Sequence, residues 1–330
     1  MAVLSRDVRF TRRLLAFLVL WPVTLAGFSV AALHLTGPRS WSAPERPAER
    51  VFPAPECNPG AVVWRTPEPP PKPQRGDVWA NPQDGMGLVY IPGGDFVMGS
   101  SDADKAAWQK EHPGASRVLF TDEQPQRRVH LDAFWLGRTE VTNAQYLRFV
   151  QATGHKPPDQ WKGGRISAGQ ENLPVGGVTW DDARAYCQWA GGHLPTEAQW
   201  EKAARGGDSR TFPWGFRWYT DVCALGSDAP ARVGSNINDA SPYGCLDMGG
   251  NMWEWCADWY AGDYYREAPR QNPPGPGPEP GQDLWRYRVM RSGCWATTDV
   301  ASFRCSARRG QNPGIGSAAH GFRCAFSARR

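Results

Sequence analysis

The chain has 330 residues, 41% of them apolar, and a net charge of +4, enough for one large domain or two small ones around a sizeable core. So mild a charge, with no long Lys/Arg run, does not argue for a nucleic-acid partner. Thirty-six Gly and 30 Pro exclude a helical bundle, and 17 Trp exclude low-complexity disorder, which is poor in aromatic residues.

Residues 1–13 form a basic segment carrying Arg6, Arg9, Arg12 and Arg13. Residues 14–35, LLAFLVLWPVTLAGFSVAALHL, have no charged side chain except the ionisable His34 and are long enough to cross a bilayer core. The arginines ahead of them predict a cytoplasmic N-terminus and a signal anchor, a single transmembrane helix. Cleavage at Ser29-Val30-Ala31 is the alternative and would give a secreted chain. In either case the remainder is expected to be extracytoplasmic, on a periplasmic or extracellular face, where the eight Cys can form disulfides. Residues 36–84 read as a semi-rigid Pro-rich linker that includes PEPPPKP. Cys57 sits alone in it, as an isolated thiol or a staple to the domain.

Residues 85–330 read as one α+β domain with few regular elements. MGLVYIPGGDFVMGS alternates apolar residues about Gly93-Gly94 and predicts a β-hairpin. RRVHLDAFWLGRTEV predicts a second strand pair. Three helices follow, at Asn143–Thr153, Trp180–Ala190 and Glu197–Arg205. Each is opened by a threonine with Gln or Asp three residues on: Thr142 with Gln145, Thr179 with Asp182, Thr196 with Gln199. Gly-Gly pairs stop the second and third. Beyond Arg205, short aromatic pieces between Gly and Pro read as short strands and compact loops. CxxC at zinc spacing and HxxxH do not occur, nor does a nucleophile elbow or a phosphate loop.

IPGGDFVMGS, RTEVTNAQYLRFV, PVGGVTWDDARAYCQWAGGHLPTEAQWEKAARGG, FPWG, YGCLDMGGNMWEW, RSGCW and GFRC stand in this order between residues 85 and 326. As an ordered set they resemble the formylglycine-generating enzyme family, also called the sulfatase-modifying-factor domain. The resemblance implies a compact α+β domain related to C-type lectins. It also implies an O2-dependent protein-cysteine oxidoreductase, which turns a cysteine of an exported client sulfatase into formylglycine with Cu(I) on two thiolates. Soft thiolates suit Cu(I), and a linear pair leaves room for the client thiol.

In copper-using members one thiolate lies two residues past the aromatic of this segment and the other five further on. Counting from Trp295 gives Thr297 and Ser302; counting back from Cys305 puts the second ligand at Val300. Neither register supplies the pair, so copper is not expected and the chain reads as a divergent member. Cys294 stands where the family has a serine beside the metal. It is the candidate catalytic residue, as a reactive or metal-binding thiol; the alternatives are a buried residue filling the serine's place or a disulfide partner. The resemblance implies a disulfide between Cys187 and Cys324. Cys305 matches a family cysteine whose usual partner position is Ala204 here. Cys294, Cys256, Cys245 and Cys223 remain as candidate partners. His193 and His320 lie in family segments without a metal-spaced mate.

The family's second calcium site maps onto Asp247, Gly250, Met252 and Glu254, with Asp247 in place of an asparagine. Ca2+ takes six to eight oxygens on a curved loop, and Gly249-Gly250 permits the curvature. A tight turn capped by carboxylates is the plainer reading. The family's first calcium site has no matching asparagine in DVCALGSDAP. Three functions follow: a divergent or accessory role in the maturation of exported proteins or metabolites, an active formylglycine-generating oxidase, or a ligand- or peptide-binding module.

Overall fold

The computed structural model describes residues 63–114, 120–219, 222, 226–277 and 286–328. The basic segment, the apolar span 14–35, most of the linker, Cys57 and Cys223 lie outside these residues. In chain order the elements are β1 (Val63–Trp64), β2 (Val78–Ala80), β3 (Gly87–Ile91), β4 (Gly94–Met98), α1 (Asp102–Glu111), β5 (Arg127–Leu131), β6 (Phe134–Gly137), α2 (Asn143–Thr153), α3 (Trp180–Trp189), α4 (Glu197–Arg205), β7 (Trp253–Trp259), β8 (Arg288–Arg291), β9 (Arg309–Gln311), β10 (His320–Gly321) and β11 (Ala325–Ser327). The strands form a five-stranded sheet in the order β1-β2-β3-β6-β11, a four-stranded sheet β10-β7-β8-β9 and the pair β4-β5. This is the expected α+β class, with mixed sheets and few helices.

The expected hairpin about Gly93-Gly94 is not one. β3 pairs with β6 and β4 with β5, both antiparallel, so β3-β4 and β5-β6 are two halves of one long ribbon. The ladder runs from Ile91 opposite Phe134 to Gly94 opposite Leu131 and bends between them. The glycine is needed for closeness at this corner, because a Cβ on Gly93 would stand 3.1 Å from the Ala133 nitrogen. The sheet also begins before Gly85. β2 lies inside the stretch expected to be linker, and Trp79 from it is buried in edge-to-face contact with Trp135 and Phe326.

The three threonine caps form as expected, each accepting from the backbone N–H three residues on while that residue's side chain returns to the cap. α1 uses the same device, with Ser101 and Asp104. One buried cluster packs α2, α3, Trp135, Trp253, Trp255 and Phe322; a second lies between α4, the bent ribbon and β7-β8. A ladder of buried ion pairs runs through the second and on to a third, around Trp108 and Phe120. Arg291 meets Glu201, Arg308 clasps Glu197 at 2.7 and 2.8 Å, and Arg304 clasps Glu123 at 2.7 and 2.8 Å. Buried charges persist only when paired in this way.

Candidate functional site

The segment expected to carry the chemistry joins β8 to β9. It opens with Ser292, a fully buried residue at φ +92°, whose hydroxyl donates to the Gly250 carbonyl and accepts from the Gly250 N–H, both at 2.9 Å. A non-glycine residue in that backbone region costs free energy and is held by such surrounding bonds. Cys294 then starts a tight turn, with Thr297 N–H donating to its carbonyl at 2.9 Å. The Thr297 hydroxyl accepts from the Cys294 N–H at 3.1 Å and lies 3.3 Å from its sulfur. Trp295 N–H donates to the Asn251 carbonyl, Ser227 N–H to the Trp295 carbonyl and Gly226 N–H to the Thr297 carbonyl, so two loops grip the turn.

Thr297, which stands in a copper-ligand position, therefore holds the turn with its hydroxyl. Cys294 is only 5% exposed and belongs to the first buried cluster, while Cys305 is enclosed in the second. All six described cysteines carry free thiols. Burial pushes the Cys305 thiol up to about 12 and the Cys245 thiol up to about 11, and raises Cys256 strongly. None of these three offers a thiolate at neutral pH. Cys187 on α3 and Cys324 after β10 are brought together, their sulfurs 3.0 Å apart.

The four expected calcium donors are near in sequence, but not all of them are available. Both oxygens of Glu254 accept from Arg323 at 2.7 Å, and one also accepts from the Trp200 indole at 2.9 Å. The Gly250 carbonyl accepts from Ser292 and from the Met252 N–H. Asp247, at φ +58°, accepts from Gly234 N–H at 2.6 Å through Oδ2. Its carboxyl meets instead two acids that sequence reasoning passed over, Glu140 and Asp239. Among the described residues no group of three His, Cys, Asp or Glu side chains is placed to hold a metal ion. Glu140 had a signal in the sequence: it is an acid in the apolar run FWLGRTEV, right after a buried strand. Asp239 lies in a short 3-10 turn, Ile237–Asp239, and had none. His193 Nδ1 lies 2.8 Å from the Leu194 carbonyl, and His320 lies between Ile315 and Gln311; neither approaches a second histidine.

The turn at Cys294, tied to the YGCLDMGGNMWEW loop through Asn251, sits among the ordered motifs expected of a sulfatase-modifying-factor domain. The family profile of the sulfatase-modifying factor enzyme 1-like domain matches residues 74–328, and the chain belongs to that family. It is 32% identical over 308 residues to a formylglycine-generating enzyme of Streptomyces coelicolor, covering 76% of this chain and 92% of that protein. It is 34% identical over 254 residues to a serine/threonine-protein kinase pkn1 of Chlamydia caviae, but the match spans 72% of this chain and 37% of the length of that relative. The solved structure of PvdO from Pseudomonas aeruginosa superposes with a TM-score of 0.63 at 24% identity, over 78% of this chain and all of that one, and shares the fold.

Proposed function

We propose that the chain is a membrane-anchored, extracytoplasmic member of the family with a divergent or accessory role in maturing exported proteins or metabolites, without the copper dithiolate. The observation that carries this reading is the Cys294–Thr297 turn: a hydroxyl bonded to its own backbone occupies a thiolate position, and Cys294 is enclosed behind it. Anchoring rests on residues 14–35, and client handling on the kinship with formylglycine-generating enzymes. In the oxidising compartment this reading implies, Cys187 and Cys324 close a disulfide that ties the end of the domain to α3.

The test uses the full-length chain, reduced, and titrates it with Cu(I) against a coloured chelator. Alongside, an oxygen electrode and mass spectrometry follow a cysteine-containing client peptide. The expected result is no stoichiometric copper and no copper-dependent loss of the peptide thiol. Tight one-to-one copper that disappears in Cys294→Ser would overturn the reading and restore the oxidase. Inertness with every metal, together with retention of a peptide or glycan, would make the domain a binding module.

A further inference from the structure

Arg288 opens β8 opposite Trp259, the last residue of β7. Its guanidinium lies 3.5 Å from the centre of the Trp259 ring and 3.6 Å from that of Trp180, the first residue of α3. A second guanidinium lies over each indole: Arg184, one turn along α3, at 5.1 Å from Trp180, and Arg286 at 5.6 Å from Trp259. Three arginines and two indoles thus form one row where α3, β7 and β8 meet. The Trp180 indole N–H donates to the Cys256 carbonyl at 2.8 Å, which fixes the row to the sheet. The row is short of counter-charge. Arg291, Arg304, Arg308 and Arg323 each hold a buried glutamate. Arg288, half-buried, holds no carboxylate among the described residues. Its Nη1 donates to the Ala257 carbonyl at 2.7 Å, and its Nε has no partner. Burial pulls the guanidinium down to about 10, against the opposing charges of Asp258 and Asp181. Asp258 is itself buried and accepts from the Glu197 N–H, while Asp181 pairs with Arg184 at 3.1 Å, both side chains exposed. Exposed pairs are weak and yield to a better partner. A ring face holds a guanidinium without using its N–H donors, so Arg288 keeps donors unspent.

We propose that this row is a docking surface for an acidic peptide segment of another protein, whose carboxylates seat on the guanidiniums of Arg288 and Arg184. Charge complementarity names the occupant: a row of cations calls for a chain that brings several negative charges, and planar carboxylates match planar guanidinium forks. A neutral sugar would stack on open ring faces, and guanidiniums already lie over both indoles. Tyr287, 40% exposed between Arg286 and Arg288 in the chain, adds an aromatic contact of the kind that interfaces favour. The inference goes beyond the reading of the Cys294 segment and stands whether or not that segment is catalytic.

The test follows the fluorescence anisotropy of a labelled hexaglutamate peptide mixed with the full-length chain at low salt, with a hexaglutamine peptide and heparin as the other probes. It is repeated on the R184Q, R288K and R232Q variants. The parent should bind hexaglutamate and not hexaglutamine. Affinity should fall about two- to fivefold in R184Q, where an exposed contact is lost. It should fall on the order of tenfold in R288K, where an ammonium keeps the charge but lacks the planar fork. R232Q removes the same charge outside the row and should bind like the parent. Melting temperatures verify that each variant folds; should R288K melt early, R184Q, whose side chain is exposed, decides. Absence of hexaglutamate binding by the parent overturns the proposal, and heparin binding in its place would give the surface to sulfated glycans. Equal binding of the two peptides, parental affinity in both R184Q and R288K, or an equal loss in R232Q overturns it as well.

Discussion

Glu123→Gln should be among the most damaging single-atom changes in the domain. Glu123 and Arg304 are 1% and 3% exposed, and the guanidinium clasps both carboxylate oxygens at 2.7 and 2.8 Å. Ser100 also donates to Glu123 at 2.6 Å, and the Arg304 guanidinium lies 4.0 Å over the Phe120 ring. The glutamine keeps the size but leaves a buried cation without its counter-charge, which costs about 3–5 kcal/mol. In a domain of this size that lowers the melting temperature by roughly 6–20 °C. Burial pushes the Glu123 carboxyl up, and the Arg304 guanidinium outweighs it, so the native group titrates below its usual range. A depressed native value means that the stabilisation is fully present above about pH 4.3, the unfolded value, and is lost as pH falls through the native one. Urea unfolding followed by Trp fluorescence should therefore show the full deficit at pH 7 and a shrinking one below pH 4. A loss under about 1 kcal/mol at pH 7, the worth of an exposed pair, would refute the claim that this pair holds the segment.

Closing Cys187 to Cys324, which are 137 positions apart, should add about 4–5 kcal/mol by restricting the unfolded chain; thiol counting and melts with and without reductant check it. Asp258 is raised to about 7, first by burial and then by the Glu197 charge, so the native state binds its proton more tightly than the unfolded one. Its contribution therefore destabilises increasingly as pH rises from about 4 to about 7. Asp258→Asn keeps an acceptor for the Glu197 N–H and should be more stable than the parent at pH 8 but not at pH 4, read by urea midpoints. Thr196→Ala removes the cap that holds the Gln199 N–H and should cost about 1 kcal/mol in the same assay.

Helix positions were legible because capping is local chemistry: three residues decide it, and the expected starts at Asn143, Trp180 and Glu197 are the observed ones. The α1 start carried an equal signal in Ser101 and Asp104, but the helix buries only Trp108, so no apolar stripe drew attention to it. Strand partners were not legible. Gly93-Gly94 has the composition of a turn, and only the approach of Ala133 from 40 residues away makes it a corner. Composition also misplaced the start of the domain, since a Pro-rich stretch hides Trp79, whose role is set by Trp135 and Phe326. At the site, Cys294 and Thr297 could be placed by motif. The commitment of Glu254 to Arg323, and the meeting of Glu140, Asp239 and Asp247, join positions 69 or more apart or lie across loops without a pattern, so spacing carries no trace of them.

The ion-pair ladder suggests how such a segment could lose its copper ligands and keep its shape. Arg291, at the last residue of β8, is tied to Glu201 on α4, and Arg304 and Arg308 are tied to Glu123 and Glu197. Ser292 to Phe303 thus hang between anchors that do not depend on the side chains of Thr297 or Ser302. A thiolate pair inside that span would contribute to chemistry and little to folding, so Thr297 and Ser302 can stand in its place without unfolding the segment. The same logic separates the two kinds of test: changes at Arg304 or Glu123 should lower the melting temperature strongly, whereas Cys294→Ser should leave it within a few degrees and alter only what the site binds.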